Sequence, residues 1–292
     1  MSKKSNTYSH SKLSTFEQCK QKFKFRYIDK IIPEIAQTIE ALLGSCVHET
    51  LEWLYKQIKR NTIPTLDETI IFYSRSWQEK FTPEILIVKK NLEAKDYFNK
   101  GVNFLINYYT KNQPFDDNTL EVEKRVKLDL DEEKKYKILG FIDRLALNPT
   151  TGEYEIHDYK TADTMPDKEK INNDRQLALY SLAIKQIYGL EKEVCLIWHY
   201  LAHDAKICIK KTQQELENLK HETIKLIKLI EDTTRFPPKV SKLCDWCEYK
   251  NICPAWIKKK DEENKNVKRI ELKPGKQKSL DDYPTIKKYI KK

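Results

Sequence analysis

Two acidic residues and a lysine, spread over two short strand-like runs, limit the folds open to this chain more than any other feature. The runs are Gly140-Phe-Ile-Asp143-Arg144 and Glu155-Ile-His-Asp158-Tyr-Lys160-Thr161, separated by the turn signal Asn148-Pro-Thr-Thr-Gly152. Apolar runs flanking such a turn predict a β-hairpin, which brings Asp143 and Asp158 to one end of a sheet. Side chains alternate along a strand, so Lys160 projects to the same face as Asp158. Phe141, Ile142, Leu145 and Leu147 surround the first acid, and Tyr154 and Ile156 precede the second, placing both in or near a buried sheet. Buried carboxylates are costly unless paired or bound to a cation. Two carboxylates are also what a hard divalent ion such as Mg²⁺ asks of a protein when a phosphate and water complete its shell. Lys160 would then orient or acidify the attacking water and offset charge on the phosphate. The plainer alternative is a surface ion pair at a strand end, in a chain that is 34% charged; the apolar neighbours favour a site.

A second constellation is Cys244-Asp-Trp-Cys247-Glu-Tyr-Lys-Asn-Ile-Cys253-Pro254. Three thiolates at this spacing can share one metal centre, with a fourth ligand from elsewhere, and either zinc or an iron–sulfur cluster satisfies it. Disulfides are disfavoured: seven cysteines is an odd count, and the absence of a signal peptide or an apolar run of membrane length points to the cytoplasm. Cys46, Cys195 and Cys208 read as small buried apolar residues.

Six segments, in order from about Ser9 to Pro254, resemble the RecB-like branch of the PD-(D/E)xK nucleases. Within it they resemble the iron–sulfur members typified by the CRISPR-associated RecB-like exonucleases and the AddB-type nuclease domain. Ser9-x-Ser11-x-Leu13-x-x-Phe16-x-x-Cys19 is similar to the N-terminal cysteine motif, and Leu43-Gly44-x-x-Val47-His48-Glu49 to the histidine motif. Gly140 to Arg144 resembles the first acidic motif, Asp158-Tyr-Lys160-Thr161 the catalytic core, Gln176-Leu-Ala-Leu-Tyr180 the helix motif that follows, and Cys244 to Pro254 the terminal triplet. One departure is Lys20, where the family usually has proline; it bears on the entry of the loop more than on the thiolate.

The resemblance implies an α/β, restriction-endonuclease-like core with a mixed central sheet flanked by helices, an N-terminal helical lobe, and a cluster region joining the two ends. It implies His48, Asp143, Asp158 and the Tyr159 carbonyl as ligands of Mg²⁺ or Mn²⁺, and Lys160 as the residue assisting water attack. Gln176 and Tyr180, one helical turn apart, would position the substrate strand and catalytic groups. Cys19, Cys244, Cys247 and Cys253 would hold a [4Fe-4S] cluster. Without the resemblance, His48 reads as a core histidine beside Val47, Leu51 and Leu54, and Gln176 and Tyr180 as part of an ordinary amphipathic helix. Glu49 and Glu123 could support or join a metal site, but the reading favoured for both is a solvated face. The expected activity is metal-dependent hydrolysis of DNA, single-stranded or with free ends, leaving 5′-phosphates, in repair or in CRISPR adaptation beside helicase or integration partners. A different class of answer is a nucleic-acid-binding subunit with little catalysis of its own, but such a subunit has no need of Asp143, Asp158 and Lys160.

Composition excludes other classes. Only six glycines occur in 292 residues, and none builds a phosphate loop or a dinucleotide turn, so no nucleotide cofactor is expected. Gly44 and Gly140 fall inside motifs, where close backbone approach would require them. Residues 258–292 carry +7 of the net charge of +10, which reads as a basic, flexible tail and leaves a weakly cationic body. The expected organisation is a cysteine motif and helical lobe over 1–119, a nuclease core over 120–235, a cysteine region over 236–257 and the tail over 258–292. Within these, residues 11–109 read as mainly helical, with buried aromatics from Trp53 to Tyr108. Residues 120–130, 193–201 and 205–211 read as strands besides the two acidic runs, and 172–188 and 212–232 as helices, the last opened by the capping box Thr212-Gln-Gln-Glu215.

Overall fold

The computed structural model describes residues 6–34 and 37–257; the expected tail lies outside them. Its centre is a mixed six-stranded sheet, ordered β1-β3-β4-β5-β6 with β2 also on β3. The strands are β1 (Asn6–Tyr8), β2 (Asn118–Asp129), β3 (Tyr136–Leu147), β4 (Tyr154–Lys160), β5 (Val194–Tyr200) and β6 (Ala205–Lys210). The hairpin expected between the two acidic runs is β3–β4, antiparallel from Arg144–His157 to Leu147–Tyr154. Asn148 Oδ1 closes its turn by accepting from the Thr150 and Thr151 amides, both at 3.0 Å, and Gly152 supplies the left-handed residue, at φ 70°.

β3 is the hub. β2 pairs along it from Lys137 to Leu147, filling one edge. The other edge is shared: β1 runs parallel to Tyr136–Ile138, and β4 takes over only at Arg144. Residues 139–143 of β3 therefore lie in a fork between two diverging strands.

Both faces of the sheet are covered. On one lie α1 (His10–Gln18), α7 (Arg175–Tyr188) and α8 (Gln213–Asp232), whose Leu13, Phe16, Leu177, Leu216 and Ile227 pack on Ile138, Ile142, Leu145, Ile156 and Trp198. α7 is the crossover between parallel β4 and β5, as such pairs require, and the expected capping box at Thr212 and Glu215 opens α8. On the other face stand α3 (Ile39–Ile58), α4 (Leu66–Lys80) and α5 (Ala94–Asn112), around Leu42, Val47, Leu51, Trp77 and Phe98, with Tyr159 of β4 in the same core. Trp53 and Phe81, expected among the buried aromatics, are only partly covered, stacking on Phe72 and Trp77 at the rim. No helix among the described residues is long and apolar enough to cross a membrane.

Cys46 is fully buried, as expected. Cys195 is also buried, as expected, whereas Cys208 corrects its reading: it is exposed, and its sulfur is paired with that of Cys195, with the Cα atoms 6.2 Å apart. The β5–β6 register sets Cys208 opposite Ile197 and Cys195 opposite Lys210, which makes the two cysteines diagonal neighbours.

Gly140 is where α7 meets the fork. A Cβ there would collide with the Tyr180 ring, so Gly140→Ala is expected to cost about 1–3 kcal/mol by overpacking and to displace Tyr180. Urea denaturation checks this, and an unchanged midpoint would show that the ring moves aside freely.

Candidate active site

The acidic residues converge at the fork. Asp143 is the last residue of β3 before β4 joins, and its Oδ2 accepts the Tyr159 amide at 2.9 Å. The Tyr159 carbonyl lies 2.6 Å from His48 Nε2, and His48 Nδ1 lies 3.3 Å from Asp143 Oδ2. α3 delivers the histidine: Thr38 caps the helix by accepting the Ala41 amide, Val47, Leu51 and Leu54 bury its apolar face, and His48 keeps 32% of its side chain toward a cleft. That cleft, of about 480 Å³, is lined by Gly44, Ser45, His48, Glu49, Glu52, Lys80 and Glu123.

Glu123 is the residue that the sequence reading left on a solvated face. The β2–β3 ladder pairs Val122 with Arg144 and Lys124 with Ile142, so Glu123 faces Asp143. One ligand atom each from His48, Glu123 and Asp143 can lie within 4.8 Å of the others. Glu123 sits at φ 47°, a left-handed conformation that costs a non-glycine residue about 1–3 kcal/mol and is concentrated at functional sites. Both strands change faces at this level. Val122 packs toward the α3–α5 core while Lys124 lies over the Tyr188 ring of α7; Ile142 packs with α7 while Arg144 lies over the Tyr55 ring of α3. Alternating Leu120-Glu-Val-Glu marks a strand, but the irregularity between Thr119 and Glu121 sets the register, and sequence does not display it. Glu49, by contrast, pairs with Lys80 and Ser76 at the mouth of the cleft.

Asp158, Lys160, Gln176 and Tyr180 form the other half. Asp158 stands outside the spacing of the first trio, and Lys160 Nζ lies 2.7 Å from its buried Oδ2 as an ion pair. Lys160 Nζ also donates to Gln176 Oε1 at 3.4 Å, and Tyr180, one turn further along α7, sets its ring against Gly140 at the open edge of β3. Asp174 caps α7 by accepting the Leu177 amide, fixing where Gln176 and Tyr180 begin.

The charges are strongly interdependent. Burial raises Asp158 to about 6, with Asp143 adding to the rise and Lys160 opposing it. For His48 burial works against protonation, but the Asp143 carboxylate, Asp158 and the Tyr159 carbonyl outweigh it and hold the imidazole at about 9. Burial, then the Asp143 and Glu52 carboxylates, also push Glu123 up. Lys160 loses to burial but gains more from Asp158, and its ammonium is stabilised. Two carboxylates and an imidazole whose ligand atoms converge, beside a buried carboxylate, form a donor set that fits a hard divalent cation.

The cysteines converge at a second place. Cys19, Cys244, Cys247 and Cys253 all line one cavity of about 60 Å³, with Phe25, Pro238 and Trp256. Lys22 and Arg26 pair with Glu248, Phe25 packs on Tyr249, and the Tyr249 hydroxyl donates to the Ile31 carbonyl at 3.1 Å, docking the C-terminal segment on the N-terminal one. Amides of Lys239 and Ser241 point at the sulfurs of Cys19 and Cys244, at 3.5 and 3.4 Å. Lys20 opens the short helix α2 (Lys20–Phe23), a first-turn position that suits proline but does not require it.

The sequence profile of the PD-(D/E)XK nuclease superfamily matches residues 7–254, across both the fork and the cysteine cavity. The chain belongs to the PD-(D/E)XK nuclease superfamily. Nucleases of this superfamily act on nucleic acid with divalent metals, and the α/β fold with its mixed, helix-flanked sheet is the PD-(D/E)XK core expected from the sequence. Among solved structures, SSO0001 is similar over 83% of this chain and 97% of its own, at 16% identity and a TM-score of 0.35. A candidate exonuclease from Eubacterium rectale is similar over 97% of this chain and 93% of its own, at 13% identity and a TM-score of 0.48. No curated protein matches.

The two raised groups set a pH dependence. The protonated forms of Asp158 and His48 are favoured by the metal-free fold, so their contributions to stability are complete below the ordinary values of 3.8 and 6.5 and are lost as pH rises through about 6 and about 9. A cation binding there must displace those protons. The increment in Tm given by Mn²⁺ is therefore expected to grow between pH 5.5 and 8.5, when followed by thermal unfolding in matched buffers. An increment independent of pH would count against these residues as the ligands.

Proposed function

We propose that this protein is a divalent-metal-dependent deoxyribonuclease of the RecB-like, iron–sulfur branch of its superfamily, acting in the cytoplasm on single strands or free ends. The observation that carries this reading is the meeting of His48, Glu123 and Asp143 with the buried Asp158–Lys160 pair at one fork of the sheet. His48, Asp143, Asp158 and the Tyr159 carbonyl would hold Mg²⁺ or Mn²⁺, joined by Glu123, which meets His48 and Asp143 at the fork. When bound, the ion supplies a water of lowered pKa and stabilises charge on the scissile phosphate. Lys160, kept as an ammonium by Asp158, serves as a cation and not as a base: it orients the attacking water and faces the charge building on the phosphate. Gln176 holds the Lys160 ammonium from the α7 side, with Tyr180 one turn further along the helix.

The cysteine cavity is read as the seat of a [4Fe-4S] cluster held by Cys19, Cys244, Cys247 and Cys253. A single zinc at about 2.3 Å from each sulfur draws thiolates to roughly 3.8 Å from one another. The four cysteines that line this cavity admit either occupant, and the likeness of their motifs to those of the iron–sulfur nucleases favours the cluster. Its role is structural, tying the N-terminal motif to the segment after α8. The lobe over 1–119 and the core over 120–235 would bound the path of a strand, and exonucleolytic end processing in repair, or spacer acquisition in CRISPR adaptation with helicase or integration partners, is the setting this reading favours.

Two experiments test it. Anaerobically purified protein with Mg²⁺ or Mn²⁺ is expected to degrade DNA labelled at either end, and Lys160→Ala to lose about 10²-fold or more of the rate while still binding DNA. Wild type that binds DNA but cuts nothing would favour the binding-subunit alternative. For the cage, visible charge-transfer absorbance with about four irons per chain is expected, and its loss in Cys244→Ser; one zinc per chain and no colour would overturn the cluster.

A further inference from the structure

Arg144, next to Asp143, is 1% exposed, and a guanidinium cannot shed its charge. Its Nη1 donates to Asp117 and, at 3.1 Å, to Thr119 Oγ1. Nη2 lies 2.8 Å from His157 Nδ1, Nε donates to the Tyr159 hydroxyl at 3.1 Å, and the plane lies 4.2 Å from the centre of the Tyr55 ring.

Because arginine only donates, it fixes the direction of each bond it makes. His157 Nδ1 must accept from Arg144, which engages its one lone pair, and the His199 ring stacks beside it with Nε2 2.9 Å from that nitrogen. His157 carries its proton on Nε2, 3.2 Å from Glu155 Oε2. The Tyr159 hydroxyl, accepting from Arg144, shares a hydrogen bond with the Tyr108 hydroxyl at 3.1 Å, and Tyr108 shares one with Tyr55 at 2.8 Å, whose ring underlies the guanidinium. The circuit is closed, and Tyr159 is the one member whose main chain reaches the candidate site, through its amide to Asp143 and its carbonyl to His48.

We infer that Arg144 is a positioning residue of the metal centre: by clamping the Tyr159 hydroxyl from the α3–α5 side of the sheet, it holds the Tyr159 amide and carbonyl where Asp143 and His48 need them. The inference rests on the metal-site reading above. The circuit spans β3, β4, β5, α3 and α5, so it also couples the seating of the helical lobe to the geometry of the ligands.

The test separates positioning from stability by measuring Mn²⁺ binding directly, by calorimetry and by the electron paramagnetic resonance of free Mn²⁺. Arg144→Lys keeps the charge but not the fork of donors, and Tyr159→Phe keeps the ring and the main chain but not the clamped hydroxyl. Each is expected to weaken Mn²⁺ binding about tenfold or more. Tyr109→Phe removes a buried hydrogen bond of α5 that lies outside the circuit, to the Pro64 carbonyl; it is expected to lower Tm while binding Mn²⁺ as wild type does. Unchanged affinity in Tyr159→Phe, or losses that follow Tm across all three variants, would overturn the positioning role. Wild type that took up no Mn²⁺ would overturn the metal-site reading itself, and this inference with it.

Discussion

A backbone amide or carbonyl shut inside a protein without a partner costs about 1–3 kcal/mol, and on β3 that demand falls on residues 139–143. β1 leaves this edge at Ile138 and β4 arrives only at Arg144, so the edge between them must be served by side chains. The Tyr180 ring closes on Gly140 at this edge, and the Asp143 side chain turns from it to the amide of Tyr159 on β4. Ligands in α/β sheets settle where neighbouring connections diverge, because only there do backbone and side chains face open space. Here the divergence lies within the length of a single strand, and the carboxylates, the imidazole and the lysine all gather at it.

Much of this was legible in the residues. The Asn148–Gly152 turn between apolar runs fixed the β3–β4 hairpin, and a period of two then put Asp158 and Lys160 on one face. Thr212 and Glu215 marked the start of α8. What stayed hidden depends on register between distant segments. β1 is three residues long, too short for any pattern, yet its parallel pairing makes the fork. Glu123 lies in a recognisable strand, but only the irregular ladder near Thr119 and its own left-handed backbone turn it toward Asp143. The Cys195–Cys208 contact likewise follows from a diagonal between β5 and β6 that no spacing along the chain reports. Family motifs named His48; physical reasoning on α3 alone would have buried it with Val47 and Leu51.

Each face of the sheet serves a different end of the candidate site. The α7 side brings Gln176 and Tyr180 to Lys160, while the α3–α5 side brings His48 to Asp143. Because Tyr159 belongs to the second core and Asp158 to the face beneath α7, adjacent residues of one strand report to opposite layers. A disturbance in either layer therefore reaches the same few atoms, which explains why so much buried polarity, Arg144, His157 and His199 included, is concentrated within a few residues of the fork.

The cysteine cavity joins parts of the chain that are made far apart in time. The amide that points at Cys19 Sγ belongs to Lys239, 220 positions later, and Cys244, Cys247 and Cys253 come later still. At roughly 5–20 residues per second of synthesis, Cys19 waits on the order of tens of seconds before any of its companions emerges. The sheet, the fork and the helical lobe can all be assembled in that interval. In order of synthesis, this cavity is consequently the last part of the described fold to have all its residues in hand.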